Sequence, residues 1–500
     1  MPRQPRTRLA ALQLFVVGPA LLAGMLVSSA ASPAPTLAAD PGVHARSHRK
    51  PAPSQEVYGY LPYWQLDAGT AGRLDYRHLS TIALFAVPVR ASGALDRQSR
   101  GYRAYVSRAA RAVTNAAHAR GVRVVPTFQV FHVPTLRRLL DSPRAQQRFI
   151  REALDLMARR RADGANLDVE PIPASLASKY AAFVGRFSRA MHRRFKGAHL
   201  AVATPAIVSD RLLRGLEPVV DRMFVMTYDY HWRGSKRPGP VAPLADGPHN
   251  VTRTIRNYLR LVPARKLILG VPYYGYSWPV RKVNGTWRVR VDPERWGGVR
   301  GITYASALAW LAHHPSVRVH HDARTGSWFR YVNRSEGTVR EVHFESAPSA
   351  RLKFNFAIAN GLAGVGVWTL RNDAGSQGMA RAIHRTFVDP VRRVTAHAEV
   401  RGVRVVGGRV RLDAVVALRD RGTRAELGTL RWRVIDGRGR TIRSGRRLVA
   451  VYPGTIRRER LAVTLGRPAV LRAGTYRLVV RFTVGSWLAA ADRDGFRQPY

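Results

Sequence analysis

Three polar side chains spaced two apart, Asn166, Asp168 and Glu170, alternate with apolar residues in the stretch Ala-Asp-Gly-Ala-Asn-Leu-Asp-Val-Glu-Pro at residues 162–171. In an extended strand alternate side chains share a face, so the three point one way and Leu167 and Val169 the other. That pattern suits a strand wedged between helices and a packed interior. Ionised carboxylates buried there lose hydration unless partners or function compensate. Two acids two residues apart therefore point to coupled titration and acid catalysis. A solvated edge strand would show the same alternation, so the remainder of the chain has to decide between the two.

The surrounding elements must place that strand inside something. Val57–Trp64, Ile82–Val87, Val122–Phe128, Leu200–Pro205, Arg222–Asp229, Lys266–Gly275 and Gly364–Trp368 read as seven more strands, several of them continuous apolar runs of the kind covered on both faces. Helical segments separate them. One is expected near 104–119, ending at Gly121, and another starts at the N-cap Ser142 with Pro143 in its first turn and Phe149, Ile150, Ala153 and Met157 on one face. Two more fall near 175–193 and 250–260. Eight strands alternating with helices predict an α/β fold, a (β/α)8 barrel over 55–388. The connection at about 279–360 is too long for a simple crossover and carries strand-like pieces and a helix near 304–313. After Pro390 the helical spacing gives way to alternating strands between Gly-rich turns, predicting an Ig-like β-sandwich over 391–500.

Composition narrows the classes. The 500 residues are 46% hydrophobic, ample for a large core and a second domain. Arg3, Arg6 and Arg8 followed by an apolar run to Val27 and then small residues predict an export signal over 1–39. A flexible linker, 40–54, follows. Export to the outside or the cell wall is the expectation, with a membrane tie only if the signal stays uncleaved. The absence of cysteine excludes disulfides, thiolate metal sites and cysteine nucleophiles. A net charge of +50, nearly all of it arginine, fits attraction to an anionic cell-wall polymer, and equally fits a compositional bias toward arginine. No helix-turn-helix, zinc or RNA-binding signature accompanies the charge, so no nucleic-acid partner is expected. His313-His314 and His320-His321 lack a carboxylate at ligand spacing and are read as surface residues, so neither metal nor cofactor is expected. A monomer is expected.

The 162–171 stretch resembles the D-G-x-D-x-D-x-E signature of family 18 glycoside hydrolases, TIM barrels that cleave N-acetylglucosamine polymers. Asp163, Gly164, Asp168 and Glu170 match it, while Asn166 replaces the middle Asp, as in the spore-germination and cortex-lytic branch of the family. Met226-Thr227-Tyr228-Asp229 resembles the family's M-x-Y-D motif. Gly270–Gly275 and Trp368–Asp373 resemble its seventh- and eighth-strand motifs, and the 279–360 stretch resembles its insertion domain. The resemblance covers about 55–388 and implies an active site at the C-terminal ends of the barrel strands.

It further implies Glu170 as general acid and base in a retaining reaction in which the substrate's own 2-acetamido oxygen attacks C1. Asp168 would orient the acetamide and balance charge. Tyr228 would donate to the acetamide oxygen, Asp229 would support it, and Trp368 would floor the −1 sugar. Asp163, Asn166, Tyr60, Trp64, Tyr273 and Tyr274 are substrate-side candidates. With a neutral amide at Asn166, Asp168 is expected to stay ionised more readily. The third strand, Val124–Gln129, lacks the S-x-G-G of many chitinases. Peptidoglycan is the expected substrate, with chitin as the alternative. A carbohydrate-binding protein on the same barrel is the non-enzymatic alternative, against which the presence of Glu170 speaks.

Overall fold

The computed structural model describes residues 55–290, 292–468, 471, 474–485 and 487–497, so the expected export signal and linker, 1–54, lie outside the described residues. Among the described residues no helix is long and apolar enough to cross a membrane. Seven strands, β1 (Glu56–Pro62), β2 (Thr81–Pro88), β3 (Arg123–Val130), β4 (Gly164–Val169), β5 (His199–Pro205), β6 (Arg222–Met226) and β7 (Leu267–Pro272), run parallel. Gly364–Trp368 then pairs with both β7 and β1 and closes an eight-stranded barrel. These strands read as apolar runs because both faces are covered. Val57 and Leu61 of β1 pack outward against helices, while Tyr58 and Tyr60 fill the lumen with Phe85, Val125, Phe224 and Ile268.

Local sequence sets the helices. Ser142 accepts a hydrogen bond from the Ala145 N–H and Pro143 opens Pro143–Arg160, as its cap and first turn predict. The helix expected near 104–119 is two, Arg100–Tyr105 and Arg108–His118, because Ser107 caps a new start by accepting from the Ala110 N–H.

The N-terminal end of the barrel is closed by an ion network that the sequence does not announce. Glu56 is buried and meets Arg123 at 3.0 Å, Arg222 at 2.8 Å and His199 at 3.2 Å. Burial opposes its ionisation, but His199, Arg123 and Arg222 hold its carboxyl well below the usual range. Four strand starts are thereby tied to one carboxylate. Two further carboxylates repeat a single device around the rim. Asp163 accepts from the Val124 N–H (2.7 Å) and pairs with His118 (2.8 Å), and Asp221 accepts from the Leu200 N–H (2.7 Å) and pairs with His192 (3.1 Å).

Between β7 and the closing strand an antiparallel sheet is inserted. It comprises β8 (Tyr274–Val283), β9 (Thr286–Val289), β10 (Arg300–Thr303), β11 (His320–Asp322), β12 (Gly326–Asn333) and β13 (Thr338–Phe344). The insert thus begins at Tyr274 rather than 279 and ends near Phe344, because β8 continues directly from β7 and Ala347–Ala359 is the barrel helix that returns the chain to the eighth barrel strand, labelled β14 (Gly364–Trp368).

Beyond the barrel, β15 (Val394–Val406), β16 (Arg409–Asp420) and β19 (Ile456–Gly466) form one antiparallel sheet. A second contains β17 (Glu426–Ile435), β18 (Thr441–Val451), β20 (Thr475–Val484) and β21 (Trp487–Arg497). Alternate residues such as Leu412, Val416, Leu430, Leu478 and Phe482 fill the space between them. This sandwich packs on the helix Ala347–Ala359. Ala425 is fully buried in the barrel's outer core, and its N–H donates to Asn355 Oδ1 at 2.7 Å.

Candidate active site

Strand β4 delivers its polar face into the lumen. Asn166 is fully buried and Asp168 only 4% exposed, while Ala165, Leu167 and Val169 join the outer core. The strand is therefore central, and the solvated-edge reading is excluded. Its start needs Gly164, with φ at 154°, because a Cβ there would lie 2.0 Å from the His199 carbonyl oxygen.

Asp168 and Glu170 lie within hydrogen-bonding reach of each other at the C-terminal end of β4. Burial pushes the Asp168 carboxyl well up, reinforced by the charge of Glu170, and its Oδ1 accepts no hydrogen bond from the protein. Burial likewise lifts Glu170, to about 7, with the Asp168 contact lowering it and Asp229 raising it. No cation offsets either carboxyl among these causes. The pair therefore retains a proton at neutral pH, the state an acid catalyst requires. Asp168 is nonetheless not readily ionised, because desolvation outweighs the repulsion that neutral Asn166 spares it. Asn166 donates to Thr127 Oγ1 at 3.3 Å, and its own Oδ1 makes no hydrogen bond within the protein.

Strand β6 ends in Tyr228 and Asp229. Asp229 takes the left-handed backbone conformation, φ 57°, which Asp tolerates and which turns its carboxyl toward the inserted sheet. There Tyr274 (2.7 Å) and Tyr276 (3.1 Å) both donate to Oδ1. Burial raises Asp229, and the two phenols partly counter it. Tyr276 was not foreseen. Its signal was available in the Tyr274-x-Tyr276 spacing, which places both rings on one face of β8. Tyr228 packs edge-on to Tyr274 with ring centroids 6.2 Å apart, and burial, then Glu170, raises its phenol well above the usual value. It therefore stays a donor. Gly270 clears its place, since a Cβ there would come within 3.1 Å of the Tyr228 ring.

Trp368 closes the floor at the end of β14, edge-on to Phe85 (4.8 Å), Tyr60 (5.3 Å) and Trp64 (6.5 Å). Trp64 is 53% exposed at the rim. The loops carrying Trp64 and Trp368 are fastened together, since Thr369 donates to Gln65 Oε1 (2.8 Å) and Gln65 to Asn372 Oδ1 (2.8 Å).

Glu170, Asp168, Tyr228, Asp229, Tyr274, Trp368 and Trp64 thus gather at one mouth of the barrel. Three candidates do not take the place assigned to them. Asp163 sits at the opposite end, fastening β3 to β4 and to the His118 helix. Tyr273 is 2% exposed and points into the outer core, because in a strand adjacent residues face opposite sides and Tyr274 takes the inward one. Tyr60 lies beneath Trp368, 1% exposed, where it can brace the floor but cannot touch a sugar. The four histidines flagged in pairs lie on the insert, where His314 stacks on Trp310 and His320 on Trp328.

A closed parallel barrel with a proton-holding carboxyl pair at its C-terminal mouth, beneath an aromatic floor, defines a glycoside hydrolase of the TIM-barrel class. Comparison with known proteins bears this out. The sequence profile of Glycosyl hydrolases family 18 matches residues 134–373, and the barrel belongs to that family. The chain is 28% identical over 352 residues to "Putative sporulation-specific glycosylase YdhD" of Bacillus subtilis (strain 168), spanning 67% of this chain and 78% of that protein. It is 24% identical over 269 residues to di-N-acetylchitobiase of Homo sapiens, 50% of this chain and 68% of that one. The solved Bacillus cereus spore cortex-lytic enzyme SleL shares the fold at a TM-score of 0.54 and 19% identity, covering 66% of this chain and 75% of that one.

Proposed function

We propose that the protein is an exported, retaining glycosidase that hydrolyses β-1,4 bonds in N-acetylglucosamine-containing polymers, with peptidoglycan as substrate. The observation that carries the reading is the coupled, buried Asp168–Glu170 pair beside Tyr228 and Trp368. In the first step Glu170 gives its proton to the glycosidic oxygen as the C1–O bond breaks, and the acetamido oxygen of the same sugar closes on C1. Asp168 keeps the shared charge next to the cationic ring so formed, and the Tyr228 hydroxyl donates to the acetamido oxygen. Asp229, held by two phenols, fixes the edge of the pocket. In the second step the Glu170 carboxylate takes a proton from water as the water oxygen attacks C1, which reopens the ring and restores the acid.

Three features support peptidoglycan over chitin. The lumen carries neutral Asn166 in place of an acid, and β3, which sets Thr127 and Gln129 beside Asn166 and Asp168, lacks the S-x-G-G of many chitinases. The net charge of +50 suits a polymer bearing peptide carboxylates. The test gives the protein purified peptidoglycan and chitin oligosaccharides side by side and identifies the released ends by mass spectrometry. Peptidoglycan fragments ending in reducing N-acetylglucosamine are expected. Efficient chitin cleavage with intact peptidoglycan would establish the chitinase alternative instead.

A further inference from the structure

The two sheets of the C-terminal sandwich treat their arginines differently. On the three-stranded side several basic residues have acidic neighbours, although Arg404 also stands opposite Arg411. Arg401 meets Glu399 at 2.8 Å, Arg404 meets Asp413 at 3.0 Å, and Arg457 meets Glu459 at 2.6 Å, with Arg447 of β18 reaching the same Glu459 at 2.7 Å. The outer face of the four-stranded sheet has no such partners. Strand register sets Arg446 opposite Arg431 and Arg431 opposite Arg481, a row of three guanidinium groups across β18, β17 and β20. Arg433, Arg477 and Arg493 flank the row on the same face, and all six are exposed. The remaining positions of that face among the described residues are Thr, Ser, Val, Leu, Ile, Ala, Gly and, at the end of β21, Arg497. The nearest acids of β21, Asp492 and Asp494, turn away and accept from the Ala398 and Val400 N–H groups of β15. Arg431 has only the neutral Thr483 hydroxyl, at 2.7 Å.

Like charges placed directly opposite each other on a sheet destabilise it. An arginine-rich composition alone would leave acids on both outer faces, yet Glu399 and Asp413 stand among the arginines of the three-stranded face and no acid stands on this one among the described residues. Neighbouring strands lie about 4.8 Å apart and alternate residues about 7 Å along a strand, so the face is a flat lattice of forked donors at carboxylate spacing. We infer that the outer face of the β17–β18–β20–β21 sheet is a docking surface for the peptide carboxylates of the polymer on which the barrel acts, which rests on the peptidoglycan reading above. It would hold the enzyme on insoluble wall without entering the catalytic cleft.

The test uses the full chain and measures sedimentation with insoluble peptidoglycan stripped of phosphodiester polymers, alongside the same material with its carboxylates amidated. Arg431→Gln, Arg446→Gln and Arg481→Gln are combined in one variant, which relieves like-charge repulsion and so should fold at least as well as the parent. The variant is expected to bind stripped peptidoglycan about tenfold more weakly, the scale of three exposed charge contacts. Wild-type binding should also weaken as salt rises from 0.1 M to 1 M and the screening length falls from about 10 Å to about 3 Å. Turnover of soluble oligosaccharides should be unchanged. Equal sedimentation of variant and parent, undiminished binding to amidated material, or binding only before the phosphodiester polymer is removed would each overturn the inference. Arginine-dependent binding without release of peptidoglycan fragments would overturn the substrate reading and leave the surface standing.

Discussion

Replacing Glu170 with Gln should abolish turnover and at the same time stabilise the barrel, in a pH-dependent way. Burial lifts the Glu170 carboxyl from its usual 4.5 to about 7. Between those values the unfolded chain has released a proton that the folded protein still holds, so stability falls as pH rises through that window. Below about pH 4.5 both states are protonated and the cost is absent. Above about pH 7 it is complete, and at 1.36 kcal/mol for each pH unit it amounts to roughly 3 kcal/mol. Glutamine keeps the shape and never titrates, so the variant escapes the cost. Urea unfolding of wild type and Glu170→Gln, followed through Trp278, buried in the inserted sheet, should give equal stabilities at pH 4 and a gain of about 2–3 kcal/mol for the variant at pH 8. Release of reducing ends by the variant should fall to background at every pH. A stability difference that does not change with pH, or a variant less stable at pH 8, would refute the argument that Glu170 carries a buried, uncompensated proton. Equal turnover by both proteins would remove the catalytic role.

Asp168→Asn should convert a two-limbed pH–rate profile into one that only falls as pH rises, since a single carboxyl then titrates. In wild type, removing the last proton leaves two adjacent carboxylates, whose repulsion at ~4 Å is about 4 kcal/mol at an effective dielectric of 20, or roughly three pH units. The variant's falling limb should therefore move down toward 7, with kcat reduced ~100-fold by loss of the charge beside C1, and retention of both limbs would show that the pair does not titrate as one. Tyr276→Phe leaves Asp229 with Tyr274 as donor, so the Asp229 carboxyl should rise further. A kcat about tenfold lower with a shifted pH profile and little change in KM is expected, and superimposable profiles would deny Tyr276 a positioning role. Asn166→Asp adds a third carboxyl to the lumen beside the pair. It should leave a working enzyme whose acid limb moves to higher pH and whose melting temperature drops by several degrees, whereas an unchanged profile would show that residue 166 does not sense Asp168.

The sequence by itself determined the barrel and singled out Glu170 as its candidate acid. Period-two spacing aligned Asn166, Asp168 and Glu170, continuous apolar runs marked strands covered on both sides, and the order of the strand-end motifs left one topology. These features are local or repeat at short range, so they survive in one dimension. Long-range contacts decided the rest. Asp163 belongs to the same motif as Glu170, yet it lies at the other end of a six-residue strand, where only the neighbouring His118 and Val124 reveal its work. Tyr273 and Tyr274 are equivalent in sequence until the register of β7 and β8 sends one to the outer core and the other to Asp229. The raised Asp168 depends on desolvation by strands that are far away in the chain, which no count of nearby charges could supply. The arginine row on the outer face of the four-stranded sheet likewise appears only once antiparallel pairing sets Arg446, Arg431 and Arg481 side by side.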